Sequence, residues 1–279
     1  MRRTLAVLSL TLAFAPAAQA ACPPVSEVAR LAGAIVDRVQ APPPPTGLSM
    51  VDALCARDRL IAVFAQAWGD QQGWKVGPAG VPGAPPLSGA VFFGTLRENS
   101  GAALPARFGT APMVSAGLLM RIRDDAVNDA GEDQLALLRQ VEAVVPFIDL
   151  PDMVYDPAPS WTPILLTSID LGTRLGVLGE PVPVQPTADF ARALGAMTVT
   201  LQADGAEVAR GTGSAGPGHP LSALAWLVRD LKEQGRPLRG GEVVLVAGLT
   251  PPIAATPREH VATFVGLASQ PASVSVRLQ

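Results

Sequence analysis

The sequence is poor in charge, and its charged residues are nearly balanced in sign. Only 16% of the 279 residues are charged, and the formal net charge is −3. Nucleic acid is excluded as a partner, because no basic field is present to hold its phosphates. Hydrophobic residues make up 48% of the chain, which supplies ample material for a core and excludes intrinsic disorder. The composition predicts a folded globular protein.

Two common catalytic motifs are also missing. Residues 211–216 (Gly-Thr-Gly-Ser-Ala-Gly) contain the letters of a serine nucleophile motif, but their spacing is displaced. The same glycine-rich segment lacks the Lys-Ser/Thr ending of a phosphate-binding loop. The chain therefore carries neither a recognisable serine nucleophile nor a nucleotide phosphate motif.

Residues 1–20 predict an export signal. Arg2 and Arg3 precede the apolar run Leu5–Ala15, and residues 18–20 (Ala-Gln-Ala) form a small-x-small cleavage site. About 11 apolar residues are too few to cross a bilayer, so no integral membrane segment is expected after cleavage. Sec export with cleavage after Ala20 predicts a periplasmic or secreted protein. Twin-arginine export and lipidation of Cys22 are the alternatives.

The chain contains only two cysteines, Cys22 and Cys55. An even count in an exported protein predicts a disulfide, which would tie the new N-terminus to the helix holding Cys55. The alternative is two independent buried thiols.

Spacing of apolar residues predicts a β-rich α+β domain with N-terminal helices. Helices are expected over Pro23–Gln40, Leu48–Gly69, Glu132–Val144 and Leu221–Gln234. Short apolar runs between glycine and proline breaks predict strands at Ala90–Phe93, Leu118–Ile122, Ile164–Leu166, Thr198–Gln202, Val243–Ala247 and Val274–Leu278. The tripeptide Ala203-Asp204-Gly205 predicts a hairpin turn, and His260 is interpreted as part of a surface turn.

An ordered set of motifs begins at residue 73. These motifs are Gly-Trp-Lys-Val-Gly at 73–77, the segment 89–96, Gly-Pro-Gly-His-Pro-Leu at 216–221, Arg-Gly-Gly-Glu-Val-Val-Leu at 239–245 and Ala-Gly-Leu-Thr-Pro-Pro at 247–252. Over about residues 48–278 the chain resembles the 2-keto-4-pentenoate hydratase branch of the fumarylacetoacetate hydrolase superfamily. The resemblance implies a mixed β-roll. Together with the signal at 1–20, it predicts a helical segment over 21–72 and a catalytic-fold domain over 73–279.

The resemblance also implies a site for Mg²⁺ or Mn²⁺ that binds 2-oxo acids and stabilises an enolate. Three carboxylates hold the metal in that family, and the positions that align with them here are Ser115, Gly117 and Pro146. None is a carboxylate, so we expect no metal cofactor. Asp149 retains an acid three residues after Pro146. The alternative is a rebuilt metal site that recruits the acids at 124, 125 and 129.

Three residues are candidates for catalysis. Lys75 is one of only two lysines and could hold a substrate carboxylate or move a proton. Asp149 is the acid near the aligned metal positions. His219 could serve as a general base, although a helix N-terminus disfavours its charged form.

These residues support two hypotheses. The first is an exported hydratase-like protein that has lost metal-dependent catalysis and binds a small organic acid, such as a 2-oxo acid, or a partner protein. The second is an active hydratase or lyase on 2-oxo acids with a rebuilt site, using Mg²⁺ or Mn²⁺. A homo-oligomer is compatible with both.

Export gives the first testable prediction. We expect N-terminal sequencing of the protein made in its native cell to begin at Ala21, in a periplasmic or secreted fraction. A chain that retains Met1 in the cytoplasmic fraction would contradict the signal-peptide interpretation.

Overall fold

The structure is a computed structural model that describes residues 22–279. The predicted signal peptide over residues 1–20 lies outside the described residues. Within residues 22–279, no helix is both long enough and apolar enough to cross a membrane.

The described chain forms six α-helices and fourteen β-strands. The helices are α1 (Val25–Asp37), α2 (Met50–Trp68), α3 (Gln134–Arg139), α4 (Pro163–Ser168), α5 (Ala188–Ala196) and α6 (Pro220–Glu233). The strands are β1 (Gln71–Gly77), β2 (Leu87–Phe92), β3 (Leu96–Arg97), β4 (Ala102–Leu104), β5 (Met113–Ile122), β6 (Val141–Leu150), β7 (Leu175–Leu178), β8 (Val182–Pro183), β9 (Thr198–Ala203), β10 (Ala206–Thr212), β11 (Val243–Val246), β12 (Ile253–Ala254), β13 (Glu259–Val265) and β14 (Ala272–Leu278).

A mixed nine-stranded sheet forms the centre of the molecule. Seven of its strands run in the order β2-β1-β11-β5-β6-β7-β3, with β12 paired to β5 and β8 to β6. Strand β2 leads through the short 3₁₀ turn Phe93–Thr95 into β3, which pairs with β7 at the opposite end of the sheet. One connection therefore joins the two ends, and the sheet curls into a half-barrel.

The two faces of this sheet have different surroundings, because successive side chains in a strand point to opposite faces. The outer face packs against a five-stranded sheet, β10-β9-β13-β14-β4, and against α6 to form the main core. The inner face carries a smaller apolar cluster, which we call the barrel cluster, composed of Val91, Leu119, Val145, Phe147, Leu178 and Leu245. Lys75 shares this inner face, since it pairs with Leu245 across the strands.

The N-terminal helices pack on the edge of the half-barrel. Buried residues of α1 and α2, including Ile35 and Phe64, join Ala90 and Phe92 of β2 in one apolar cluster. Helix α2 begins with a capping box, in which the Ser49 hydroxyl accepts from the backbone N–H of Asp52 and the Asp52 carboxylate accepts from that of Ser49. The N-terminal helices and the edge strand β2 thus share one apolar cluster.

Most of the expected elements are confirmed. Helices form close to the predicted bounds at α1, α2 and α6, and the hairpin turn joins β9 to β10 at Asp204 and Gly205. The final strand buries Val274, Val276 and Leu278 on one face, as its period of two predicts.

Three expectations were wrong. The helix expected over Glu132–Val144 stops at Arg139, because the run from Val141 pairs with β5 as a full strand. The strand expected at Ile164–Leu166 is helix α4, which Thr162 caps and Pro163 begins. His260 is not in a surface turn but fully buried in β13, where burial lowers the pKa of its imidazole.

The disulfide prediction is confirmed: Cys22 and Cys55 are bonded, with their Cα atoms 5.6 Å apart. The bridge closes a segment of 33 residues and fastens the start of α1 to the middle of α2. The carbonyl of Pro23 also accepts a hydrogen bond from Arg59 on α2. Two different interactions therefore hold the N-terminal end of the described chain against α2.

We predict that replacing both cysteines, Cys22→Ser with Cys55→Ser, lowers the free energy of unfolding by about 3–4 kcal/mol, the loop-entropy value for a closed segment of this size. Thermal denaturation with and without reductant is the measurement, and reduced wild type should match the double variant. Two reactive thiols in the denatured, unreduced wild-type protein would contradict the bridge.

Candidate functional site

A buried ion pair lies on the inner face of the half-barrel. The Nζ atom of Lys75 is 2.7 Å from Oδ2 of Asp149, and the two side chains are only 5% and 6% exposed. The Lys75 ammonium also donates to the carbonyl oxygen of Leu171, at 3.4 Å. The structure thus brings together two of the three predicted catalytic residues.

The strands on either side of Asp149 place Gly176 and Ser115 opposite it. Gly176 stands opposite Asp149 on β7, and a Cβ at Gly176 would lie 1.9 Å from Cζ of Phe147. The Phe147 ring therefore lies over the bare backbone of β7. Ser115 pairs with Asp149 from the other side, on β5. The register of strand pairing, rather than proximity in the sequence, determines which residues lie beside Asp149.

A second carboxyl group, that of Asp170, belongs to the same buried region. Its Oδ1 accepts from the backbone N–H of Ala90 at 2.8 Å, whereas Oδ2 has no hydrogen-bond partner in the described structure. A Cβ at Gly89, the cross-strand partner of Lys75, would lie 2.9 Å from the Asp170 carbonyl oxygen. The segment of Asp170 can approach β2 only because residue 89 has no side chain.

Burial raises the pKa of Asp170 to about 7, although the hydrogen bond from Ala90 and the charges of Arg57 and Lys75 act in the opposite direction. Asp170 and Leu171 both adopt positive φ angles, of 54° and 53°, which are uncommon for residues other than glycine. A carboxyl group that titrates near neutrality, beside an ammonium, is the kind of group found in acid–base sites.

The three positions that the resemblance aligns with metal ligands, Ser115, Gly117 and Pro146, carry no carboxylate. Ser115 offers one neutral hydroxyl, and a Cβ at Gly117 would already lie 2.9 Å from the carbonyl oxygen of Val246. Pro146 has no ligating side-chain atom, and Asp149 is already paired with the Lys75 ammonium. Mg²⁺ and Mn²⁺ prefer several anionic oxygens, so this donor set does not fit either ion.

The other acids considered for a rebuilt site lie at the opposite end of β5. A strand rises about 3.3 Å per residue, which places Asp124 more than roughly 20 Å from Ser115. Asp125 accepts from the backbone N–H of Gly240, and Asp129 is paired with Lys232 at the surface. Among the described residues, no three His, Cys, Asp or Glu side chains are grouped so that they could hold a metal ion.

His219 does not join the ion pair. Its Nδ1 accepts from the backbone N–H of Leu221 at 3.1 Å, which leaves the ring hydrogen on Nε2, 3.0 Å from the carbonyl oxygen of Ala191. Nδ1 thus caps the start of α6, while Nε2 links that end of the helix to α5. This geometry assigns His219 a capping role at the start of α6.

Reasoning from the sequence missed Asp170. No spacing motif surrounds it, and the short turn after α4 brings it against Ala90 of β2. Its signal in the sequence is weak: an acid within Ile-Asp-Leu-Gly, an otherwise apolar segment.

Comparison with solved structures defines the class of fold. The 4-oxalocrotonate decarboxylase from Pseudomonas putida G7, complexed with magnesium and adipate, matches with a TM-score of 0.76 over 91% of this chain and 97% of that chain, at 19% identity. The 2-hydroxyhepta-2,4-diene-1,7-dioate isomerase from Mycobacterium marinum matches with a TM-score of 0.50 over 75% of each chain, at 13% identity. The protein therefore has the fold of the fumarylacetoacetate hydrolase superfamily.

Within that class, the sequence is distantly homologous to the 2-keto-4-pentenoate hydratases. It is 31% identical over 123 residues to the enzyme of Paraburkholderia xenovorans, covering 43% of each chain. It is 33% identical over 129 residues to the TodF product hydratase of Pseudomonas putida, covering 44% of this chain and 46% of that protein. These alignments span less than half the length of the curated relatives, and no family model matches the chain.

Asp170 gives a prediction about pH. Between its ordinary pKa of 3.8 and about 7, the folded protein binds a proton at Asp170 that the unfolded chain releases. Stability should therefore fall as pH rises through this window, by up to about 1.4 kcal/mol per pH unit. Asp170→Asn keeps the acceptor for Ala90 and tolerates positive φ, so this contribution to the slope should vanish.

Thermal denaturation between pH 4 and pH 8 is the measurement. Asp189→Asn, at an 87% exposed side chain, is the matched control and should retain the wild-type slope. Identical slopes for wild type and Asp170→Asn would show that Asp170 ionises as an ordinary exposed carboxylate.

Proposed function

We propose that this chain is an exported hydratase-like protein that has lost metal-dependent turnover, and that the ammonium of Lys75 serves as the buried partner of Asp149. The observation that carries the proposal is the buried contact of 2.7 Å between Lys75 and Asp149. Without turnover, its proposed role is to bind a small organic acid or a partner protein.

The charges of the site support this proposal. Lys75 contributes one positive charge and Asp149 one negative charge, while Asp170 is largely neutral below about pH 7. The group therefore carries no excess of negative charge with which to attract a divalent cation. Mg²⁺ gives up its hydration shell reluctantly, and only anionic oxygens compensate for that loss.

The ion pair also accounts for the closed interior. Breaking a buried pair by removing one partner leaves an uncompensated charge, at a cost of about 3–5 kcal/mol. A 2-oxo acid that bound to Lys75 would have to displace Asp149 and incur a penalty of this kind. The arrangement therefore favours a structural role for the pair over substrate binding at Lys75.

Two further features support the export and ligand parts of the proposal. A disulfide persists in oxidising compartments, in agreement with the predicted signal peptide. The solved structure with the higher TM-score holds adipate, a small organic acid, together with magnesium. By analogy of fold, a small organic acid is the ligand class to test first.

One observation favours the second candidate, an active hydratase or lyase with a rebuilt site. Lys75, Asp149 and Asp170 together provide an ammonium, a carboxylate and a carboxyl group with a pKa of about 7. Such groups can exchange protons with a substrate near neutral pH. This candidate requires the half-barrel to open, because all three residues are buried.

We predict that wild-type protein shows neither stoichiometric binding of Mg²⁺ or Mn²⁺ in calorimetry at millimolar metal nor hydration of 2-hydroxypenta-2,4-dienoate. Lys75→Met should instead lower the free energy of unfolding by about 3–5 kcal/mol, because Asp149 would be left buried and unpaired. Arg192→Met is the control, since its partner Asp189 is exposed, and a surface pair is worth at most about 1 kcal/mol.

Turnover that Asp149→Asn abolishes would overturn the proposal and establish the second candidate. Stoichiometric metal binding that the same variant removes would show that Asp149 is a ligand rather than a partner of Lys75.

A further inference from the structure

A cavity of about 620 Å³ opens at the end of the half-barrel where β2 turns into β3. Its position is separate from the ion pair, since neither Lys75 nor Asp149 lines it. Leu178 of the barrel cluster forms part of its wall, and Leu96 and Val243, which pack against that cluster, form another part. The barrel cluster therefore lies between this cavity and the buried charges.

Two arginines project into the cavity. Arg121 lies on β5, two residues beyond Leu119 on the same inner face, and is half-buried. Within residues 22–279, no carboxylate pairs with Arg121, and no protein group accepts a hydrogen bond from its side chain. A half-buried guanidinium without an acceptor is available to an external anion.

Arg97 is held in place by the backbone. Its Nη1 donates to the carbonyl oxygens of Gly94 and Leu96, at 2.9 and 3.0 Å. Its Nε and Nη2 make no hydrogen bond to the described protein, so they are free to contact a ligand. The lining contains one acid, Glu98, whose side chain is exposed to solvent. The cavity thus carries an excess of positive charge.

Four apolar side chains share the rest of the lining with Gln72 and two glycines. Leu96, Leu178 and Val243 form the walls, and Phe93 stands at the rim with 68% of its surface exposed. Ligand sites of this size typically combine apolar walls with a few polar groups that set orientation. An exposed aromatic ring beside two guanidiniums is suited to a ligand with one charged end and one apolar body.

We propose that this cavity binds an organic carboxylate with a short apolar chain. The carboxylate contacts the guanidiniums of Arg121 and Arg97, and the chain lies against Leu178, Val243 and the ring of Phe93. The site lies outside the barrel interior and does not depend on the state of the Lys75–Asp149 pair. The proposal rests on the proposed function in one respect: it gives the location at which the organic acid binds.

Calorimetry on the full chain with hexanoate, adipate, acetate and inorganic phosphate tests this site. Hexanoate and adipate should bind at least ten-fold more tightly than acetate, because acetate has no chain to fill the apolar walls. Phosphate should bind no more tightly than acetate for the same reason. Arg121→Gln should weaken hexanoate binding by at least ten-fold.

Arg123→Gln is the matched control, since Arg123 is exposed, lies just beyond β5 and does not line the cavity. Phe93→Ala should reduce the preference for hexanoate over acetate without affecting folding, because its ring is largely exposed. Phosphate binding as tight as hexanoate would overturn the apolar part of the proposal. Absence of binding at 10 mM, or binding that Arg121→Gln leaves unchanged, would overturn the site.

The two proposals can fail separately. Hexanoate binding that Lys75→Met abolishes and Arg121→Gln preserves would move the organic acid to the barrel interior and refute this site. Metal-dependent turnover with intact binding at Arg121 would refute only the proposed loss of catalysis.

Discussion

The buried ion pair between Lys75 and Asp149 is the interaction on which the inner face of the half-barrel depends. Two charges removed from water must satisfy one another, and their remaining hydrogen-bonding capacity must be met by neighbouring backbone. Lys75 also donates to the carbonyl oxygen of Leu171, which lies in a turn where Asp170 and Leu171 both adopt positive φ. That turn in turn requires a residue without a side chain at Gly89. The charge pair, the strained turn and the glycine form one dependent set.

A second buried charge, on the outer face, is satisfied differently. Arg57 of α2 is fully buried, and its guanidinium donates to Ser88 on β2 and to Gln234 just after α6. Its guanidinium carbon also lies 5.7 Å from the centre of the Trp74 ring. Its Nη2 also lies 3.1 Å from Oδ1 of the half-buried Asp58. Several acceptors thus share this one cation, whereas Lys75 relies chiefly on one carboxylate. The outer network ties the helical segment to the sheet, while the inner pair fixes the half-barrel itself.

The sequence was a good guide where structure is local and a poor one where it depends on pairing. Apolar periodicity found α1, α2 and α6, and the two cysteines indicated their bridge. The run from Val141 was read as helix because its pairing with β5 is not visible in local pattern. Lys75 and Asp149 are candidates for separate reasons, and nothing in their spacing indicates that they touch across the two intervening strands, β11 and β5. Asp170 and Arg121 have no local signal, because only the curl of the sheet gives them their surroundings.

The contact between Phe147 and Gly176 couples the substitutions that these two positions can accept during evolution. The ring occupies the volume that any side chain at position 176 would need, since a Cβ there would lie 1.9 Å from Cζ. A substitution at one of these positions is therefore tolerated only after a change at the other. Lineages that exchange the glycine must first shorten the aromatic residue, and those that keep the ring inherit the glycine with it. The two positions, 29 residues apart in the chain, should evolve as a single character.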